Sequence, residues 1–305
     1  MKKNRAFWVS LVVVVTYLFG AFHYYRFSRM FVVQEPTSPG LAYVDALITV
    51  AEEMDQNWMP NDIFFWPSNL NDNPQNFQRG ELEAVRYATR ILRDHLSRMS
   101  TTDTIDPDCE IAFTAFSNDP EKLYLPRAEE KYEEGIEALK RYRARLERGE
   151  VRFYPRADNL NEFIVQFTSL LGGMSQRLAN APRDIESRIS EETAGDATLS
   201  GEKRIKHHTP WTKIDDDFYF VQGVLFVLKH LVVATSEDFS VIIEQRNAEE
   251  FFEAITDVLD HTQFRPWIVL NGNPGSVWAN HPMQLQARLE DVRQKLRLLQ
   301  SVFGG

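Results

Sequence analysis

The sequence predicts an all-α protein with one N-terminal transmembrane helix followed by a multi-helix extracytoplasmic body. An apolar run without Asp, Glu, Lys or Arg stands near the N-terminus, from Ala6 to Tyr25. Apolar residues then recur at helical spacing through most of the chain. Alternation of apolar and polar residues, which marks a strand, is confined to short stretches.

The run Ala6 to Tyr25 has the length of a membrane span. As a helix rising about 1.5 Å per residue it crosses a hydrocarbon core of about 30 Å, with Trp8 and Tyr24 near the two interfaces. The residues at its exit are bulky and offer no small-residue cleavage pattern. We therefore predict an uncleaved signal anchor; a cleaved signal peptide and a buried helix are the alternatives.

Charge predicts how the anchor is oriented. The first thirty residues hold five of the 34 basic residues and none of the 44 acidic ones, so the remainder carries a net charge of −15. Lys2, Lys3 and Arg5 precede the apolar run, which predicts a cytoplasmic N-terminus and a body on the far side of the membrane. A body this acidic argues against a nucleic-acid partner.

A second apolar run, Phe218 to Ala234, is short for a span. Gln222, Lys229 and His230 interrupt it. We predict a helix buried at the centre of the body. The alternative is a second span, which would return the C-terminal residues to the cytoplasm.

Helical periodicity divides the body into two groups. Helices are predicted over Leu41–Met54, Gly80–Met99, Asp108–Phe116, Ala128–Arg148, Leu160–Leu178, Ala248–His261 and Met283–Val302. Short strands are possible at Val151–Tyr154 and Trp267–Leu270. The small polar residues around 181–209 indicate a mobile linker. The predicted organisation is therefore an anchor at 1–30, a helical group at 31–180, the linker at 181–209 and a second helical group at 210–305.

Recognisable catalytic and metal motifs are absent from the sequence. The single cysteine, Cys109, excludes an intrachain disulfide and a Cys-based zinc site. His207 and His208 are adjacent, and neighbouring residues on a helix point about 100° apart, so the pair is a poor chelate. The glycines of NGNPGS, 271–276, indicate a turn. We predict no cofactor and no metal.

The segment Asn57–Phe77, NWMPNDIFFWPSNLNDNPQNF, is the most distinctive stretch. In a structural interpretation its asparagine side chains form hydrogen bonds with nearby backbone groups, and its aromatic rings pack into the core. In a functional interpretation tryptophan faces and amides line a groove for a glycan or peptide. Residue chemistry favours the structural interpretation, and a calcium loop is disfavoured because its glycine and final glutamate are missing.

Two further polar stretches lie in the predicted helix after Pro155. Asp158 or Asn159 is a natural N-cap. Gly172 and Gly173 indicate close packing within an apolar helix, beside polar residues. The candidate ligand or partner surface comprises Trp58, Asn61, Asp62, Trp66, Asn71, Asp72, Asn73, Arg156, Asp158, Ser175, Gln176 and Arg177.

Four blocks of the chain resemble an uncharacterised bacterial family catalogued as domain of unknown function 2333. They are WMPND at 58–62, NDNPQNFQRG at 71–80, RADNL at 156–160 and SQRLA at 175–179. The chain departs from the family pattern at Asn73, where an apolar residue is expected before Pro74. The resemblance implies a bacterial envelope protein with one N-terminal membrane segment and a helical remainder, and it implies no activity.

These observations lead to a functional expectation. We expect a single-pass protein of the bacterial inner membrane whose periplasmic body acts as a non-enzymatic scaffold or accessory subunit for other envelope proteins. The alternative is binding or cleavage of a glycan such as peptidoglycan by the segment Asn57–Phe77, with Asp62, Asp72 or Glu81 as acids. Cleavage generally needs two carboxylates about 5 to 9.5 Å apart.

Overall fold

The computed structural model describes most of the helical body and part of the N-terminal region. The described residues are 7–15, 38–56, 58–61, 73–100, 102–124, 126–180, 185–189, 203–207, 212–264, 266, 269 and 280–304.

The body is built from α-helices, which confirms the predicted all-α class. The helices are α1 (7–15), α2 (Leu41–Asp55), α3 (Asn73–Ile91), α4 (Pro107–Phe116), α5 (Ala128–Glu147), α6 (Ala157–Asn180), α7 (Thr212–Asp238), α8 (Ser240–Gln245), α9 (Glu249–Asp260) and α10 (His281–Phe303). A π-helical turn, Leu92–Leu96, extends α3. Two short strands, β1 (Ile185–Ile189) and β2 (Lys203–His207), lie between α6 and α7 and pair antiparallel.

Each predicted helix is observed, but the short helix α8 was not predicted, and α7 begins at Thr212, six residues before the predicted apolar run. The largest difference is at α3. This helix begins at Asn73, seven residues before the predicted start, and Pro74 in its first turn needs no N–H donor there. The strand predicted at Val151–Tyr154 is wrong: this stretch has no ladder partner, and the Tyr154 amide donates to the Leu96 carbonyl at 2.9 Å. The pair of β1 and β2 falls in the predicted linker.

Helix α7 is the centre of the body. Residues Lys213–Asp238 form the one helix within the described ranges that is long and apolar enough to cross a membrane, and 83% of its apolar window is buried by the protein itself. It packs against α2, α3, α6, α9 and α10. This packing favours the buried helix over the second span.

The polar residues that interrupt the apolar run of α7 all have partners inside the body. The Gln222 amide donates to the carbonyls of Thr262 at 3.0 Å and Phe264 at 2.6 Å. Lys229 pairs with Asp260, and the His230 imidazole lies 2.8 Å from the Phe226 carbonyl. Because buried polar groups are costly unless they are hydrogen-bonded, these partners make α7 a stable core helix.

Helices α3 and α7 cross with their backbones in direct contact. A Cβ atom added to Gly80 would lie 2.0 Å from the Phe220 carbonyl oxygen, and one added to Gly223 would lie 2.1 Å from the Phe77 carbonyl oxygen. Each glycine therefore faces the backbone of the other helix. The crossing brings the polar start of α3 against α7.

One hydrophobic core joins the two helical groups predicted from the sequence. Its buried residues run from Leu41 in α2 to Phe303 in α10. Helix α6 of the first group packs against α10 of the second, and α2 packs against both α5 and α7. The packing thus mixes the two groups in a single body.

The last residue of α7 caps the first turn of α2. The two Asp238 oxygens accept hydrogen bonds from the amides of Gly40 and Tyr43, each at 2.7 Å. Gly40 has φ +91°, and the Phe153 ring occupies the space where its Cβ would lie. A carboxylate at a helix N-terminus satisfies unpaired N–H groups and meets the positive end of the helix dipole.

Candidate functional site

Trp58 lies in the core, at the start of the connection between α2 and α3. Its side chain is 4% exposed, and its indole N–H donates to the Pro120 carbonyl at 3.1 Å. The ring meets Tyr132 of α5 edge to face, with centroids 4.9 Å apart. At this position the geometry agrees with the structural interpretation, because neither ring face is open to a ligand.

The connection after Trp58 is held by side-chain amides. The Asn61 side chain, 7% exposed, donates to the Lys122 carbonyl at 3.2 Å and to the Glu129 carboxylate at 2.8 Å. The Gln78 amide of α3 accepts from the Met59 N–H at 3.0 Å and donates to the Met54 carbonyl at 3.1 Å. These bonds tie residues 58–61 to α3 and α5, and Gln78 also joins α3 to α2, as Asn and Gln side chains do in irregular segments.

Part of the predicted surface lies outside the described residues. It includes Asp62, Trp66, Asn71 and Asp72. Asn73 is described, and it is the first residue of α3 rather than part of an irregular connection.

The charged side chains at the start of α6, Arg156 and Asp158, pair with each other. The Arg156 guanidinium donates to both oxygens of Asp158, at 3.0 and 2.7 Å, and to the Met99 carbonyl at 3.1 Å. The N-cap prediction for this stretch is wrong: α6 begins at Ala157, and the Asn159 amide donates to the Tyr154 carbonyl instead of accepting from the helix. Both charged side chains are half exposed and pair with each other.

The other predicted residues of α6 lie at its opposite end. Ser175 and Arg177 are about 26 Å or more along the helix from Asp158, so the α6 residues cannot form one site. Ser175 is buried and Gln176 is exposed. The Arg177 guanidinium pairs with Asp217 at 2.7 Å and lies 4.3 Å from the centroid of the Phe220 ring.

The end of α6 and the start of α3 meet at the first turns of α7. Arg177 reaches Asp217 from one side, and the Asn76 amide donates to Asp216 at 2.7 Å from the other. The structure therefore brings Ser175–Arg177 and the first turn of α3 to the same end of α7. These contacts are pairings within the body, and they join three helices.

The two glycines of α6 have different surroundings. A Cβ on Gly172 would lie 3.0 Å from the Arg293 guanidinium of α10, which explains the close packing predicted here. A Cβ on Gly173 would meet nothing within 4 Å. Only the first of the pair contributes to packing.

Several carboxyl groups lie inside the body near the connection. Glu81 is 3% exposed, and burial raises its pKa well above the ordinary value, with a further increase from the neighbouring Glu53. Burial also raises the pKa of Asp55 to about 7, with contributions from Glu129 and Glu133. No group of His, Cys, Asp and Glu within the described residues is arranged to hold a metal ion.

The comparison with protein families identifies the chain. A family model described as "Uncharacterized protein conserved in bacteria (DUF2333)" matches residues 26–293. The chain belongs to this family. Comparison of the DUF2333 chain with curated proteins and with solved structures yields no match.

The DUF2333 body carries a groove that the sequence analysis missed. It has a volume of about 510 Å³ and lies between α7, α8 and α9. Its floor includes Val233, Ile243 and Phe252, and its rim carries five acidic residues. The rim residues are Glu244, Glu249, Glu253, Asp257 and Asp260. A signal was present in the sequence, because α9 contains acidic residues at helical spacing and no Lys or Arg.

Proposed function

We propose that this DUF2333 protein is a single-pass inner-membrane protein with a periplasmic body, and that the body is a non-enzymatic scaffold or accessory subunit for other envelope proteins. The observation that carries the proposal is the exposure of α1.

Helix α1 is apolar on every side and exposed along its whole length. All of residues 7–15 are exposed, including Phe7 at 64% and Trp8 at 61%. A helix that is apolar all round is stable when lipid or protein covers it. Helix α1 falls within the apolar run Ala6 to Tyr25, which is long enough to span a bilayer. This length supports lipid, rather than another protein, as the surroundings of α1.

Topology provides the first test. Alkaline phosphatase fused after Gly305 folds and becomes active only outside the cytoplasm, so we expect an active fusion. A fusion of the same enzyme before Met1 is the control and should be inactive. An inactive C-terminal fusion with an active N-terminal one would mean that the orientation is inverted.

The scaffold role is supported over the glycan alternative by the surroundings of two residues. The Trp58 ring packs against Tyr132 and is closed to a sugar face, and Glu81 is buried beside Glu53 instead of lying on an open surface. A glycan groove needs exposed aromatic faces and accessible carboxylates. The other proposed acids, Asp62 and Asp72, lie outside the described residues.

Partner capture in living cells tests the scaffold role. A photoreactive phenylalanine at Tyr124, which is 80% exposed, should crosslink repeatedly to the same small set of envelope proteins. The same amino acid at the buried Tyr43 is the control and should give no adduct. Adducts that differ between repeats at several exposed positions would count against a scaffold. Altered peptidoglycan binding or turnover in a Glu81→Gln variant of unchanged stability would favour the glycan alternative.

A further inference from the structure

Most carboxylates on the rim of the groove between α7, α8 and α9 have no cationic partner among the described residues. Glu244, Glu249 and Glu253 form no ion pair with a described residue, and Asp257 reaches only His261, at 4.0 Å. Of the five, Asp260 alone pairs with a lysine, Lys229.

Three carboxylates on the exposed face of α5 differ from those of the rim, because each has a basic partner. There Glu134 pairs with Lys131 at 2.6 Å, Glu137 with Lys140 at 2.9 Å and Glu147 with Arg143 at 2.9 Å. The groove thus combines an apolar floor with an acidic rim of which three residues form no ion pair with a described residue. A segment that carries both cationic and apolar residues would complement it.

The chain contains such a segment in strand β2. It reads Lys203-Arg204-Ile205-Lys206-His207, with three cations and one apolar residue in five positions. Its length as a strand, about 17 Å, matches the about 16 Å over which the acidic residues of α9 extend.

Chain length prevents β2 from lying along its own groove over its full length. The groove runs along α7 from the level of Lys229 to that of Ser236, about 26 to 36 Å from Thr212 at about 1.5 Å per residue. A fully extended chain carries Ile205 no more than about 25 Å and Lys203 about 32 Å from Thr212, so at most the first two residues of β2 reach the groove of the same chain. A second copy of the chain has no such restriction.

We propose that two copies of the chain form a dimer in which β2 of each lies in the acidic groove of the other. The contact is isologous, so it closes as a pair. The inference is independent of the anchor and of the scaffold role, and a monomeric protein would leave both untouched.

Sedimentation of the full-length chain in an uncharged detergent measures the dimer. We expect its dissociation constant to rise at least tenfold between 50 mM and 500 mM NaCl, because salt screens exposed charge pairs. A chain that stays monomeric at every concentration, or a dimer indifferent to salt, would overturn the proposal.

Charge exchange identifies the two surfaces. Glu244→Lys, Glu253→Lys, Asp257→Lys in one variant and Lys203→Glu, Arg204→Glu, Lys206→Glu in another should each be monomeric alone. An equimolar mixture should dimerise, because both of its contacts then join opposite charges. The matched control is Glu134→Lys, Glu137→Lys, Glu147→Lys on α5, which should dimerise like the natural chain.

A milder variant guards against loss of folding. The triple variant Glu244→Gln, Glu253→Gln, Asp257→Asn removes charge at exposed positions. It should weaken the dimer at least tenfold with an unchanged unfolding midpoint.

Carbodiimide treatment of mixed ¹⁴N and ¹⁵N chains should join Lys203 or Lys206 of one chain to an acidic rim residue of another. Dimers unaffected by any groove variant, or crosslinks only within one chain, would show that the interface is elsewhere. Loss of binding to anionic vesicles in the β2 variant, without any dimer, would assign β2 to lipid instead.

Discussion

At the scale of single residues, Asp238 forms the hydrogen bonds that span the greatest separation in sequence within the described part of the chain, 198 and 195 residues. It joins the last turn of α7 to the first turn of α2 through two 2.7 Å hydrogen bonds. Burial raises its pKa to about 6, while hydrogen bonds from the backbone N–H groups of Tyr43, Gly40 and Ala42 act in the opposite direction. The carboxyl is therefore near its titration point under mildly acidic conditions.

Removal of this cap should destabilise the body. We expect Asp238→Ala to lower the free energy of unfolding by about 2 kcal/mol, since two buried amides lose their acceptor. Asp238→Asn should cost less, because an amide oxygen replaces one of the two acceptors. Urea unfolding measures both, with the exposed Asp257→Ala as control. Equal midpoints for Asp238→Ala and the natural chain would mean that the cap contributes nothing.

Buried carboxyl groups predict an unusual pH dependence. Asp55 and Asp238 have pKa values of about 7 and about 6 in the folded protein, against 3.8 for an ordinary aspartate. Folding therefore binds protons, and the contribution of these groups to stability falls as pH rises from about 4 to about 7. We expect a higher urea midpoint at pH 5 than at pH 8. Asp55→Asn should reduce the difference; a difference that this substitution leaves unchanged would contradict the assignment.

At the scale of elements, the crossing of α3 and α7 depends on two glycines. A Cβ at Gly80 or Gly223 would lie 2.0 or 2.1 Å from a carbonyl oxygen, far inside van der Waals contact, and the helices would have to separate. The two glycines therefore fix the distance between α3 and α7. Close backbone contact is the reason that glycine is tolerated in two helix interiors here.

Alanine substitutions test this crossing. Gly80→Ala and Gly223→Ala should each destabilise the protein by about 2 to 3 kcal/mol, because overpacking forces the backbones apart. Gly173→Ala is the matched control: its Cβ meets nothing within 4 Å, so higher helix propensity should stabilise the protein by about 0.5 to 1 kcal/mol. Thermal unfolding compares the three. Similar shifts for all of them would mean that the crossing is not tight.

Periodicity predicted most helices and failed at the polar start of α3. The spacing of apolar residues predicted α6 as Leu160–Leu178, two to three residues inside its observed ends at both sides. It predicted α5 to within one residue of its observed ends. Residues 73–76 of α3 carry two asparagines, a proline and a glutamine, and no apolar stripe. Their helix is stabilised by contacts such as Asn76 with Asp216, 140 residues away, which no local pattern contains.

The same limit applied to the candidate site. Sequence chemistry offered two interpretations of Trp58, and the choice depends on Tyr132 and Pro120, which are distant in the chain. Conversely, the acidic face of α9 was visible as a run of helically spaced carboxylates. Its groove was not, because α7 and α8 supply the floor.

At the scale of the whole molecule, the two predicted helical groups depend on each other. Helix α10 buries six large residues, and it packs against α6 and α9. At about 1.5 to 3 kcal/mol per buried side chain, α10 contributes on the order of 10 kcal/mol. Native stability is commonly only about 5 to 15 kcal/mol. The buried residues are Leu285, Leu289, Val292, Leu296, Leu299 and Phe303.

Truncation before α10 should therefore unfold both groups. We expect a chain that ends at Asn280 to lose its cooperative unfolding transition and its protease-resistant core. A chain that ends at Phe303 is the control and should unfold like the full-length protein. A truncated chain that keeps a cooperative transition for residues 38–180 would show that the first group folds alone.

The cap of α2 by Asp238 also has a consequence for hydrogen exchange. The amide protons of Gly40 and Tyr43 are bonded to a carboxylate 198 and 195 residues away, instead of to a neighbouring turn. Fraying of one helix end cannot release them while α7 stays docked, so their exchange follows the opening of the central helix. These two amides, at the start of α2, would report on the integrity of the whole body.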